Sequence, residues 1–351
     1  MQIRARFARI VSVLVLSGPA FAQVDFDFAV DQPASDFTWS GDTNYGPVVG
    51  NPSNAFEFQG HFSIELSPSG SNPLASGVFQ PVGDLYVVPD LHGRIPGPFG
   101  TTFATIDCVD VHMVMSSPSF AITGNGAFST PLTMTIIQGT MFITPAFGAP
   151  SQLDLTGYQS DPDVQAGSVT QNGDDLHMVL PITAAFAFNI TGGASGTIDI
   201  TGALVSDWIC PAPQTYCTAK TNSLGCVPTI GTSGSPSYTN SAPFTVSATN
   251  ELNLKNGLLY YGFAPLAAPF QGGIKCVASP TVRTTVQFSG GSPSGNDCTG
   301  VYSFDFNAWI QTYADPSLVP GEEVFCQYWS RDPASFGNTN LTDAARFSVC
   351  P

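Results

Sequence analysis

Three of the four histidines in this 351-residue chain follow an aspartate by two positions. The steps are Asp90-Leu91-His92, Asp110-Val111-His112 and Asp175-Leu176-His177. An imidazole beside a carboxylate can be an ion pair, a proton relay or half of a metal site. If the last two steps lay on neighbouring antiparallel strands, Asp110 would face His177 and Asp175 would face His112. Two imidazoles and two carboxylates would then form a ligand set for zinc or copper. The flanking residues favour a plainer reading. In VDVHMVM (109–115), Val109, Val111, Met113 and Met115 alternate with Asp110 and His112, and DDLHMVL (174–180) repeats the pattern. Period-2 alternation puts these histidines, and His61 in its own segment, on the water side of a strand. Ion pairing is the expectation, and a divalent metal at Asp110, His112, Asp175 and His177 the alternative.

Catalytic signatures are missing. The chain has no G-x-S-x-G elbow, no H-E-x-x-H and no phosphate-cradling glycine loop. All four histidines precede Cys210, so the last third cannot assemble a Ser-His-Asp triad within itself. Asp161 with Asp163, and Asp174 with Asp175, are carboxylate pairs of the kind glycosidases use. They lie beside proline and glycine, where aspartate ordinarily makes turns. No catalytic residue and no cofactor is assigned. A glycan-acting hydrolase is retained only as an alternative.

The elements that must carry these residues are strands. No apolar 3.6-residue period persists for three turns, whereas alternation is common. In AFEFQGHFSIEL (55–66), Phe56, Phe58, Phe62, Ile64 and Leu66 share one face, and Gly60 falls on that face where a long strand can bend. VDFDFAV and GTIDITGAL alternate likewise. Such half-buried sheets must close as a sandwich or a barrel to hide one side. A barrel admits a further alternative, carriage of an apolar ligand.

Residues 1–22 have the form of a secretory signal: Arg4, Arg6 and Arg9, an apolar run from Ile10 to Leu16, then Ala20-Phe21-Ala22. No segment is apolar enough for a transmembrane helix. Without those three arginines, seven bases face 26 carboxylates, a net charge of −19. Residues 23–210 carry 18 carboxylates and one base, and residues 211–351 carry eight and six. So acidic a surface repels nucleic acid. An exported, extracellular or surface location is expected, with the periplasm as alternative.

Eight cysteines in an exported chain point to disulfides. Pairing by sequence proximity gives Cys108–Cys210, Cys217–Cys226, Cys276–Cys298 and Cys326–Cys350. The change in charge density and the prolines of CPAPQTYC set a boundary, with an acidic β domain at 23–210, a linker at 211–216 and a cysteine-rich β module at 217–351.

The stretches CTAKTNSLGC (217–226), NGLLYYG (256–262), PFQGGIKCV (269–277), CTGVYSFDFNAW (298–309), CQYWSRDP (326–333) and FSVCP (347–351) run in order through the last 135 residues. Together they resemble an uncharacterised C-terminal module that recurs at the ends of secreted proteins of environmental bacteria. The resemblance implies an accessory module for sorting, display or adhesion. In CQYWSRDP, Tyr328 and Trp329 fall on opposite strand faces, so at least one is expected in solvent, where it could stack on a sugar. In VYSFDFN, Tyr302, Phe304 and Phe306 are expected inward. The expected fold is all-β, with an N-terminal antiparallel sandwich or barrel and a disulfide-rich, sandwich-like C-terminal module. The expected role is non-catalytic binding or structure, with a cell-envelope or extracellular glycan or protein as partner.

Overall fold

The computed structural model describes residues 24–190 and 194–351, so the signal segment lies outside the described residues. Thirteen strands occupy the first part: β1 (Val24–Val30), β2 (Asp36–Thr43), β3 (Gly46–Gly50), β4 (Ala55–Ser69), β5 (Asn72–Val88), β6 (Leu91–Pro96), β7 (Thr102–Ser116), β8 (Phe120–Ala121), β9 (Ala127–Pro145), β10 (Ser151–Asp154), β11 (Asp163–Asn172), β12 (Asp175–Asn189) and β13 (Ser195–Trp208). They form one antiparallel sheet.

Eight of them close a ring. From β1 the pairing runs to β4, β5, β7, β9, β11, β12 and β13, and β13 returns to β1. Two seams are short, with two paired residues each, at β5·β7 and β1·β13. Near one end, β2 pairs with both β13 and β4, and β3 and β6 carry the pairing on to β7. The sequence leaves sandwich and barrel open; the closed pairing makes this a barrel.

Alternation places the core as expected. Phe56, Phe58, Phe62, Ile64 and Leu66 are buried along β4. Gly60 has φ +99°, and a Cβ there would lie 1.9 Å from the Asp84 carbonyl oxygen. Opposite the bulge between Phe62 and Ser63, Gly83 has φ +119°. These two positions let strands of 15 and 17 residues coil around the core. Rings fill the interior: Phe28 stacks on Phe62, and Phe120 on Phe128. The internal cavity bordered by Phe56, Val87, Met113, Met141 and Phe186 is only ≈ 30 Å³. Sites for drug-sized molecules run to about 300–1,000 Å³. The apolar-carrier reading needs a space that the packed rings occupy.

The remaining elements are β14 (Gln214–Tyr216), β15 (Thr229–Ser233), β16 (Thr245–Glu251), β17 (Asn256–Gly262), β18 (Pro265–Phe270), β19 (Gly273–Val277), β20 (Val282–Arg283), β21 (Gln287–Phe288), β22 (Gly300–Asp305), the helix α1 (Phe306–Ile310), β23 (Glu323–Arg331) and β24 (Thr339–Ser348). One sheet runs β14-β24-β23-β17-β20, with β21 also on β17; a second runs β15-β16-β22. Both sheets contribute to one core, through Leu259, Tyr328 and Phe347 on one side and Ile230, Val246 and Tyr302 on the other. That is the sandwich-like packing expected of this segment.

Local expectations fail where a side chain redirects the backbone. VYSFDFN does not continue as a strand: the Asp305 carboxylate accepts the Ala308 N–H and starts α1. Tyr302 and Phe306 are buried, whereas Phe304 is only partly so. The linker expected at 211–216 contains β14, held on β24 and stapled by Arg346 donating to the Gln214 side chain.

The cysteine pairing also differs. The bonds are Cys210–Cys350, Cys217–Cys276 and Cys226–Cys298, separated by 140, 59 and 72 residues. Sheet topology, not proximity along the chain, sets these partners. Cys210–Cys350 ties the end of the barrel chain to the last strand region, and Tyr238 adds a hydrogen bond to the Gly70 carbonyl at 2.8 Å. Cys108 and Cys326 are free and buried. Burial pushes both thiols up to about 12, so neither supplies a reactive thiolate near neutral pH.

Candidate binding groove

The four imidazoles lie on the outer face of the barrel, and each finds an aspartate on another strand. His61 on β4 meets Asp27 on β1 at 2.5 Å. His92 meets its direct cross-strand neighbour Asp107 at 2.8 Å, and His177 meets Asp207 at 2.8 Å. His112 meets Asp84 through Nδ1 at 2.7 Å and Asp110 through Nε2 at 3.2 Å. Asp110 also accepts from Gln138 on β9. The result is a polar row, Asp27–His61 and Asp84–His112–Asp110–Gln138, that crosses five adjacent strands.

The ladder imagined between Asp110–His112 and Asp175–His177 does not form. β7 pairs with β5, β6 and β9, while β12 pairs with β11 and β13. Asp175 instead accepts the backbone N–H of Cys210 at 2.8 Å. No group of three or more His, Cys, Asp or Glu with metal-ligating arrangement occurs among the described residues.

His112 differs from the other histidines in its surroundings. Burial disfavours its charge, but the hydrogen bonds that His112 donates to the Asp84 and Asp110 carboxylates, with their negative charges, outweigh this and hold its pKa above the ordinary 6.5. A raised folded-state pKa means that this group's stabilisation is complete below about 6.5 and fades as pH rises through the folded value. NMR titration of Asp84→Asn should show the His112 pKa falling toward the ordinary value; an unmoved titration would break the assignment.

The second feature is a groove of ≈ 300 Å³ on the outer face of the C-terminal sheet. Leu258 and Tyr260 on β17, Trp329 on β23 and Arg283 on β20 line it, with Phe270, Gln271 and Lys275 from the β18–β19 hairpin. Cross-strand pairing sets the row, Leu258 opposite Trp329 and Arg283 opposite Tyr260. Of the expected aromatic pair, Tyr328 is buried, stacked on Tyr302, while Trp329 is partly exposed and faces the groove. The Arg331 guanidinium lies 5.3 Å from the Trp329 ring centroid.

The groove is held from beneath. Gln327 is fully buried and accepts from Tyr260 Oη and the Cys276 N–H. Its amide nitrogen donates to the carbonyls of Ile274 and Thr342 at 3.0 and 2.7 Å. At the wall, Gln271 and Gly272 form a two-residue turn with φ +48° and +78°. Lys220 secures that turn by donating to the carbonyls of Gln271, Phe336 and Thr339 at 2.7, 2.6 and 2.7 Å. An ammonium has three protons, and all three are used.

The sequence carries a faint trace of this groove that residue spacing alone does not reveal. In a chain so acidic, Lys275, Arg283 and Arg331 fall within 57 residues of one another, and the fold gathers them around Trp329. No protein-family model matches the chain, and no curated protein is significantly similar to it.

Proposed function

We propose that this protein is an exported, non-catalytic binding protein whose C-terminal segment attaches it to an acidic extracellular or envelope glycan through the Trp329 groove. The observation that carries the reading is a partly exposed aromatic ring, Trp329, in a groove with the buried Tyr260 at its floor, rimmed by Lys275, Arg283 and Arg331 in a protein with a large negative charge. Sugar rings present apolar faces that stack on aromatics, and uronate or sulfate groups pair with guanidinium and ammonium. The resemblance of residues 217–351 to a recurring C-terminal module of secreted proteins supports an attachment role. The acidic barrel would be repelled by the same polymer, which orients the groove toward it and the barrel away. With no transmembrane-length apolar helix among the described residues, attachment by such contacts is consistent with the three disulfides and the expected export.

Affinity electrophoresis through gels containing polygalacturonate or dextran tests this. Retardation is expected in polygalacturonate alone, weakening with added salt. Trp329→Ala should weaken it about tenfold, the loss of about 1.4 kcal/mol of stacking, with the fold retained at a somewhat lower melting temperature, because the ring also packs on Val277 and Leu341. Equal mobility in all gels, or undiminished retardation of Trp329→Ala, overturns the reading.

A further inference from the structure

The two ends of the barrel differ. At one, the β4–β5 turn meets the C-terminal segment, where Tyr238 donates to the Gly70 carbonyl. At the other, the β2–β3, β6–β7 and β9–β10 turns come together with the start of β13. The Tyr45 ring lies 5.3 Å from that of Phe103. The Ala146 N–H donates to the Phe103 carbonyl at 2.8 Å, and the Asn44 N–H donates to the Ser195 carbonyl at 2.9 Å. Four aromatic side chains stand out here. Phe99 and Phe147 are wholly in water, and Tyr45 and Phe103 are nearly half exposed. Pro96 and Pro98 precede Phe99, while Pro145 and Pro150 flank Phe147, so both turns are stiffened where they carry a ring.

This end is also uncharged. Residues 43–56, 95–106, 139–153 and 186–198 contain no Asp, Glu, Lys, Arg or His, although 18 carboxylates are spread through 23–210. The one base of that region, Arg94, lies just behind the rings on β6, opposite Val49 and Thr105. Among the described residues it makes no salt bridge. Single exposed apolar residues are ordinary, whereas a contiguous apolar patch marks a contact surface. A second copy of this chain is a poor occupant, because it would bring together two barrels that each carry 18 carboxylates and one base. A rigid partner would need a socket for each protruding ring. Lipid closes around them, and aromatic rings are at home between headgroups and acyl chains.

We propose that this end of the barrel is a membrane-contact surface: Phe99 and Phe147, flanked by Tyr45 and Phe103, insert into a zwitterionic phospholipid bilayer, and Arg94 meets the lipid phosphates. Five residues separate Arg94 from Phe99, no more than about 17 Å of chain. With the ring about 5–10 Å inside the boundary, the guanidinium stands at headgroup level, where it can pair with phosphate. The barrel wall stays in water, since its outward positions carry the Asp–His pairs. Its carboxylates would be repelled by an anionic bilayer, which is why the lipid is zwitterionic. The contact is peripheral and reversible. It lies away from the Trp329 groove, and neither reading depends on the other.

Co-sedimentation of the mature protein, free of the apolar run at 10–16, with phosphatidylcholine vesicles tests this. Binding is expected at millimolar lipid, and replacing part of the lipid with phosphatidylglycerol should weaken it at low salt. Phe99→Ala and Phe147→Ala should each lower the partition coefficient about tenfold, and the double variant about a hundredfold. Because both rings are wholly in water, the double variant should keep its melting temperature. It should also keep its retardation in polygalacturonate, which separates this test from that of the groove. In Phe99→Trp, whose other tryptophans lie elsewhere in the chain, vesicles should shift the emission to the blue, and brominated lipid should quench it. No sedimentation with phosphatidylcholine, undiminished binding of the double variant, or an unshifted Phe99→Trp spectrum overturns the proposal. So does a concentration-dependent dimer in analytical ultracentrifugation that the double variant abolishes, which would assign this end to a second copy.

Discussion

Replacing Lys220 with alanine is expected to lower the unfolding free energy by about 3–5 kcal/mol, the cost of removing one partner from a buried charge network. The side chain is 7% exposed, and its ammonium donates to three carbonyls from the β18–β19 turn, Phe336 and the start of β24. Burial lowers its pKa, and Asp332 works in the opposite direction. Truncation would take the ammonium from three main-chain acceptors and leave a void beside Gly273, where a Cβ, were one present, would lie 3.2 Å from Lys220 Cδ. Methionine at 220 would refill the space but not the hydrogen bonds, so it should recover only part of the loss. Urea unfolding measures both. Because Gln271 lines the groove, Lys220→Ala should also weaken glycan retention, whereas Trp329→Ala, packed on the core through one face only, should weaken retention with a smaller loss of stability. A Lys220→Ala protein as stable as wild type would mean that water replaces the ammonium at those carbonyls.

Lys220 also shows where reading a sequence reaches its limit. Alternation is a local property, so β1, β4 and β13 and the inward faces of Phe56, Ile64, Leu176 and Met178 are legible in single segments. So is the outward direction of the histidines, since period 2 assigns a face without knowledge of the neighbours. The partner of each histidine is not legible, because it depends on which strands meet. His177 follows Asp175 in sequence but bonds Asp207, and Asp175 turns to Cys210. Register and topology are global, and the alternative Asp110–His177 ladder required a strand pairing the barrel does not contain.

The cysteines follow the same logic. Cys217 and Cys226 are nine positions apart, yet their partners lie 59 and 72 residues on, because closing the sandwich brings β19 and the β21–β22 loop against the Cys217–Cys226 segment. TVRTTVQF reads as one strand but is two short ones, β20 and β21, that pair with opposite ends of β17. The groove was the least visible of all. Trp329 could be nominated from strand parity, but Lys275 and Arg283 acquire meaning only when the hairpin and β20 stand beside it.

Glu251 should make stability fall, not rise, between mildly acidic and slightly alkaline pH. Burial is the main cause that pushes its carboxyl from the ordinary 4.5 up to about 7; Asp332 adds to this, while Ser330 and Asn340 oppose it. Between those values the folded protein holds a proton that the unfolded chain releases. Folding therefore becomes less favourable as pH rises through the window, and the loss levels off above about 7. A displacement of this size corresponds to about 3 kcal/mol. Urea unfolding at pH 4.5 and pH 8 measures the difference. His112 contributes a loss of the same sign over its own window, so the comparison must be made against Glu251→Gln. That variant keeps the shape but cannot ionise, and it should be more stable than wild type at pH 8 by about 2–3 kcal/mol. Equal pH slopes for the two proteins would show that the carboxylate is solvated in the folded state, and would remove the physical ground for the titration.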